Sequence, residues 1–229
     1  MNLDMLFSFA ERLRIEAIGE PSFIKEKGVF EYQGQGVEIV AVLKAVRAAQ
    51  GIKSLDMLCR NGLFIDMGAI YRCVGDCTSE VYFLLESYPK QSSNVQKFVK
   101  AFFATTIDSD LSAKTEHVPT KEIRSAVVRV LTGRKQDESI RTKLLNVYQS
   151  FSGYTHAHYS HIMQIYGGTP PDFSFNVSGV PSVQQRDKQM QLVEQAYLSV
   201  LYSLAFIAHT LNLNDLYKEI WSYCKSLSL

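Results

Sequence analysis

The stretch from Ser54 to Ser87 limits the fold more than any other. Read as a helix, it carries Met57, Leu58, Leu63, Ile65, Ile70, Val74 and Val81 around its whole circumference. A helix that is apolar on every side belongs inside a bundle. The stretch is therefore expected to be the central helix, with Ser54 as its N-cap. Gly62, Gly68 and Gly75 interrupt it. Each costs about 1 kcal/mol in a helix interior relative to Ala, which points to close contact with a neighbour or to a kink.

Its charges are ordered as well. Gly68, Arg72, Asp76 and Glu80 follow a four-residue step and share one slowly drifting face, so Arg72 and Asp76 can pair on a single helix. Buried charges need partners, because stranding one costs several kcal/mol. The seam is either a solvated edge of the helix or the polar wall of a site.

Helical spacing recurs along the chain. Residues 3–18 carry Leu6, Phe9 or Ala10, Leu13 and Ala17 on one face. From Val37 to Ala49 a stripe of Ile39, Leu43, Val46 and Ala49 leaves Lys44 and Arg47 in water, and Gly51 ends that helix. Further helices are expected over 95–105, 123–131, 138–151 and 183–211, with a last one from Asn214 or Asp215 to about Ser226. Val29–Tyr32 reads as a short extended piece, which makes no sheet alone. Residues 107–119 read as irregular with His117 exposed, and 173–181 as a loop. The expected architecture is all-α, a multi-helix bundle of roughly seven to nine helices with a loop insertion near 166–182, in a single domain over residues 1–229.

Composition narrows the classes of partner. Hydrophobic residues make up 46% and charged residues 21%, a globular rather than disordered profile. The net charge of +1 lacks the basic excess of a general nucleic-acid binder. The first residues have neither the basic start nor the apolar centre of a secretory signal. The apolar stretch Tyr197–Leu211, broken by Ser199, Ser203 and His209, is shorter than the roughly 18 residues of a membrane span. A cytoplasmic location and no membrane partner are the expectations. Cys59, Cys73, Cys77 and Cys224 are expected to be reduced core thiols.

Ionisable and ring-bearing side chains concentrate in Ser152–Phe173, SGYTHAHYSHIMQIYGGTPPDF. It holds three of the five histidines, His156, His158 and His161, among Tyr154, Tyr159, Tyr166 and Phe173. In a helix His158 and His161 share a face; in an extended chain His156 and His158 do. Imidazole titrates near neutrality and suits proton transfer or metal ligation. HAHYSH lacks the HExxH spacing, a metal would need Asp172, Asp76 or Glu80 to complete its shell, and no metal or cofactor is assigned. A His beside an Arg could act on an RNA 2′-hydroxyl, although the net charge does not favour RNA. In the opposite reading, these residues hydrogen-bond to backbone carbonyls and fix a helix junction. His209 reads as a satisfied core or boundary residue.

RCVGD (Arg72–Asp76) together with YTHAHYSHIMQIYGG (Tyr154–Gly168) resembles a family of uncharacterised bacterial helical proteins. Its members combine an Arg-x3-acid step on a long helix with a Tyr-x-His-Ala…Tyr-x-His…Tyr-Gly-Gly segment. That resemblance implies a helical fold and no established activity. More remotely, the architecture is similar to the HEPN helical bundles of bacterial toxin and antiphage systems. Those that cleave RNA carry an Arg four to six residues before a His, used across a dimer. Here Arg141 precedes His156 by fifteen residues, a departure from that pattern.

The leading expectation is an accessory or effector of a bacterial defence or toxin-type system, acting through a pocket that joins the seam to the histidines. In it Arg72 holds an anion, Asp76 orients a histidine, and His156 or His158 exchanges a proton. His161 is a further catalytic candidate, and Glu80, Tyr154, Tyr159 and Tyr166 are ligand-binding candidates. A homodimer, and a protein partner from a neighbouring gene, are the expected associations. The alternative is a non-enzymatic binding or structural module in which the His and Tyr cluster is a buried hydrogen-bond network.

Overall fold

Two helices, α2 (Val37–Arg60) and α3 (Phe64–Leu85), form the axis of the computed structural model, which describes residues 1–104, 118–133 and 137–227. The single helix expected over 54–87 is thus divided, and the break falls at Asn61–Leu63. Gly62 takes the left-handed region there, with φ +68°. The Asn61 side-chain amide donates to the Met57 carbonyl at 2.7 Å and closes α2. The Gly62 carbonyl accepts from the Val180 amide at 3.0 Å, which ties the turn to a distant loop.

Gly51, expected to end a helix, lies inside α2. A Cβ at that position would overlap the Val74 side chain of α3. A glycine stops a helix only where the chain turns left-handed; this one instead lets two helices approach.

Among the described residues, seven further α-helices surround this pair: α1 (Leu3–Ile18), α4 (Ser93–Ala104), α5 (Thr120–Thr132), α6 (Glu138–Thr155), the single turn α7 (Tyr159–Ile162), α8 (Val183–Thr210) and α9 (Asn214–Leu227). Side-chain caps start several of them. Asn2 accepts from the Met5 amide at 3.1 Å, Asp137 from Ile140 at 3.1 Å and Ser182 from Gln185 at 3.3 Å, satisfying amides that a helix start leaves open. The all-α architecture holds.

Two small antiparallel hairpins accompany the helices. The extended piece β2 (Val29–Glu31) finds its partner in β1 (Ser22–Ile24), with Phe23 opposite Phe30. Within the expected loop insertion, β3 (Tyr166–Thr169) pairs with β4 (Asp172–Phe175), Tyr166 opposite Phe175. The expectation for His117 lies outside the described residues.

One contiguous core, including Leu13, Ile52, Leu55, Leu201, Leu204 and Ile220, draws on α1, α2, α3, α8 and α9. Helix α8 is long and apolar enough, by length and composition, to cross a membrane, contrary to the expectation drawn from 197–211 alone; 56% of its most apolar window is packed inside the protein. Helix α6 is different. Its one fully buried residue is Gly153, so it lies as an outer layer against α3. Contact there is close, because a Cβ on Gly68 of α3 would overlap the Tyr154 ring.

The three glycines of the central segment therefore have three different surroundings. Gly62 supplies a turn, Gly68 admits a ring, and a Cβ on Gly75 would meet no atom of the described residues within 4 Å. Gly68→Ala is expected to lower unfolding free energy by about 1–3 kcal/mol through overpacking. Gly75→Ala is expected to raise it by about 0.5–1 kcal/mol. Urea denaturation of the two variants beside the parent chain measures both signs.

Candidate functional site

Arg72, Asp76 and Glu80 of the α3 seam face a half-open cavity of about 860 Å³ lined by α2, α3, α4, α5, α6 and α8. Ring-bearing and aliphatic side chains make most of its wall: Phe98 and Phe102 from α4, Val127 from α5, Leu144 and Phe151 from α6, and Tyr202 from α8. Arg72, Asp76 and Glu80 run along its floor, and Gly75 leaves a gap among them.

Each floor charge has a partner. The Lys44 ammonium of α2 lies 2.6 Å from a Glu80 carboxylate oxygen, with the two side chains only 22% and 17% exposed. The same ammonium stands 5.5 and 5.6 Å from the ring centres of Phe98 and Phe102. Lys44, expected in water, is thus a cavity residue.

Arg72 reaches across to α6. Its Nη1 donates to Ser152 Oγ at 2.8 Å and its Nη2 to the Tyr148 hydroxyl at 2.5 Å. Its Nε stands 3.5 Å from Asp76 Oδ2, and its guanidinium carbon lies 4.3 Å from the Tyr148 ring centre. A second guanidinium, Arg124 of α5, lies 5.2 Å from that same ring. The segments around positions 72 and 152 do meet.

Burial pushes the Asp76 carboxyl above its ordinary value, with Arg72 the main opposing influence. Burial also raises Glu80, against the Lys44 hydrogen bond and with repulsion from Asp76 adding to the rise. Both acids keep their protons to higher pH in the folded chain than in the unfolded one. Their ionisation therefore lowers stability as pH rises through the shifted values, and acidification restores it. Burial, with Cys73 adding to it, pushes the Cys77 thiol up to about 12, so it stays protonated and unreactive near neutrality.

The histidines lie elsewhere. His156 caps the end of α6, Ala157 takes φ +50°, and His158 precedes α7 in an extended conformation. Both imidazoles are exposed, with ring centres 6.2 Å apart. His161 is half-buried. Its Nε2 donates to the Ser150 carbonyl at 2.9 Å, which leaves Nδ1 of the neutral ring to accept from Ser160 Oγ at 3.3 Å. Its ring meets Tyr154 edge-on at 4.3 Å, and a Cβ on Gly153 would overlap it.

Tyr154 donates to Gln164 at 2.8 Å. Tyr159 is 79% exposed, and Tyr166 packs on Phe173 and Phe175 of its hairpin. His209 packs on Tyr217 at 4.9 Å. Of the expected site residues, Arg72, Asp76 and Glu80 line the cavity. His156, His158, His161, Tyr154, Tyr159 and Tyr166 do not. Rings nevertheless connect the two regions, since Tyr71 in the cavity wall stacks on Phe151 at 4.2 Å and Phe151 on Tyr154 at 5.7 Å.

Sequence reasoning missed Lys44, Arg124 and Tyr148. A signal existed for the last: Leu144, Tyr148 and Phe151 stand at i, i+4 and i+7 and form one face of α6. Among the described residues, no three His, Cys, Asp or Glu side chains converge as metal ligands. Comparison with protein-family models, with curated proteins and with solved structures finds no match.

His161→Ala should cost about 1–2 kcal/mol, the worth of its backbone hydrogen bond and ring contact. His156→Ala and His158→Ala should each stay within about 0.5 kcal/mol of the parent. Thermal unfolding of the three variants separates a junction residue from its exposed neighbours. For the floor pair, Glu80→Met strands Lys44 and should cost about 2–3 kcal/mol, the usual loss reduced for partial exposure. The double variant Lys44→Met/Glu80→Met should recover most of that loss, and a double-mutant cycle in urea measures the coupling.

Proposed function

We propose that the chain is a binding module that takes a small, largely apolar organic molecule into the cavity above α3. The observation that carries this reading is Gly75. A glycine in a helix interior costs stability, and among the described residues no neighbouring side chain, backbone or turn occupies the space it leaves. Open space above a helix backbone is what close approach of a ligand requires. Its surroundings support the same reading, because an apolar, ring-lined cleft with a few oriented polar groups is the usual form of a ligand site, and about 860 Å³ falls in the usual size range.

The charges on the floor also favour binding over proton exchange. Lys44 is engaged by Glu80, and Arg72 by Asp76, Tyr148 and Ser152. Groups held in this way orient a ligand and set the polarity at one side of the cavity. Of the alternative in the sequence analysis, this reading keeps the non-enzymatic binding module but not its buried His and Tyr network, since His156, His158 and Tyr159 are exposed.

N-phenyl-1-naphthylamine, a neutral dye that brightens in apolar surroundings, provides the test. Saturable binding of one dye per chain is expected. Gly75→Phe, which fills the gap with a ring and no backbone strain, should weaken binding by about tenfold or more while circular dichroism remains unchanged. Gly75→Ala, which adds one methyl group, should weaken binding less than Gly75→Phe does. Equal dye affinity in Gly75→Phe and the parent would remove the reading.

A further inference from the structure

The charges around the cavity do not balance, and the imbalance lies in one place. Among the described residues, Lys44, Arg72 and Arg124 line it against Asp76 and Glu80, so three positive charges face two negative ones and the formal sum is +1. Each carboxylate already has its own cation: Glu80 has Lys44 at 2.6 Å, and Asp76 has Arg72 at 3.5 Å. Arg124 makes no ion pair or hydrogen bond to another described residue; its contact is with the Tyr148 ring at 5.2 Å, and it acts on Asp76 only at longer range and more weakly than Arg72.

Tyr148 brings two guanidiniums to one spot. Arg72 lies 4.3 Å from its ring centre and Arg124 5.2 Å from it. Two like charges sharing one ring repel, and an anion between them would relieve that repulsion. Guanidinium donors form a planar fork that matches a carboxylate through two parallel hydrogen bonds. A single excess charge also matches a monoanion better than a phosphate monoester, whose charge is about −1.5 to −2 near neutrality.

We infer that the ligand is an amphipathic monocarboxylate, its head held at the Arg124–Tyr148–Arg72 group and its apolar tail lying along Phe98, Phe102 and Phe151 over Gly75. This rests on the binding reading above and adds the chemical class of the ligand. Arg124 is the residue that selects it, because Arg72 is already tied to α6 by Ser152 and Tyr148.

Three probes that share one tail and differ in head charge test the inference: decanoate, decanol and decyltrimethylammonium. Each is titrated by isothermal calorimetry below its micelle concentration. Decanoate is expected to bind the parent chain about tenfold or more tighter than decanol, and decyltrimethylammonium weakest. In Arg124→Gln the preference for decanoate over decanol should fall to near one, with the loss of affinity much larger for decanoate than for decanol. In Arg124→Lys part of the preference should remain, since the charge persists without the fork. Arg124 is half-buried, and a melting curve for each variant shows that it is folded.

Decanol binding as tightly as decanoate, or decyltrimethylammonium binding tightest, overturns the inference and leaves the cavity reading standing. An undiminished decanoate preference in Arg124→Gln overturns it too. Failure of all three probes to bind overturns both.

Discussion

Arg72 is the interaction on which the site depends. Helix α6 brings one fully buried residue to the protein, Gly153, so hydrophobic burial does little to hold it. Its attachment to α3 is instead a clamp. One guanidinium donates to Ser152 and Tyr148, stacks over the Tyr148 ring and stays beside Asp76 on its own helix. Hydrogen bonds from a charged donor contribute about 1.5–3 kcal/mol each, more than neutral ones. Ring stacking of Tyr71 on Phe151, and the fit of Tyr154 over Gly68, complete the seam. With α6 held in this way, its apolar face forms a wall of the cavity rather than collapsing onto α3.

That wall explains how an unfilled space can persist in a chain whose core is otherwise continuous. Protein interiors pack to the density of organic crystals, and an apolar void beside α3 invites closure. Closing it would drive Lys44, Glu80, Arg72 and Asp76 out of their pairings or bury them further, and either change costs several kcal/mol. The ion pairs thus act as spacers as well as floor. Two consequences run together here: the carboxyls of Asp76 and Glu80 are pushed up by burial, and the cations facing them are kept oriented.

The histidine segment has a different position from the one its composition suggests. Its rings continue outward from the cavity wall, through Phe151 and Tyr154 to His161, and end at His158 and His156 in solvent. His161 locks the junction between α6 and α7 through the Ser150 carbonyl. A cluster of one residue type within six positions says that side chains are near one another. It does not say which way they face, because a single left-handed residue, Ala157 at φ +50°, redirects the chain between the first two histidines.

Much of the architecture could be read from the chain alone. Hydrophobic spacing placed α1, α8 and α9 almost to the residue, since a helical period is a local property repeated many times. The four-residue step of Arg72, Asp76 and Glu80 on one face of α3 was local too, as was the need for partners. Glycine was ambiguous for a physical reason: the same residue permits a left-handed turn at Gly62, a helix crossing at Gly51 and an open space at Gly75. Only the neighbours distinguish these cases, and they come from elsewhere in the chain. Lys44 passed for a solvated residue because its helix shows one polar edge, whereas the approach of α4 encloses that edge with Phe98 and Phe102. Sequence by itself determined the all-helical class, the bounds of α1, α8 and α9 and the demand that the charges of α3 be paired, but not where α2 ends and α3 begins. Tertiary structure alone decided that the partners are Lys44, Tyr148 and Ser152, and that His156 and His158 face water while His161 locks the α6–α7 junction, because long-range contact depends on how helices cross and no local period encodes that.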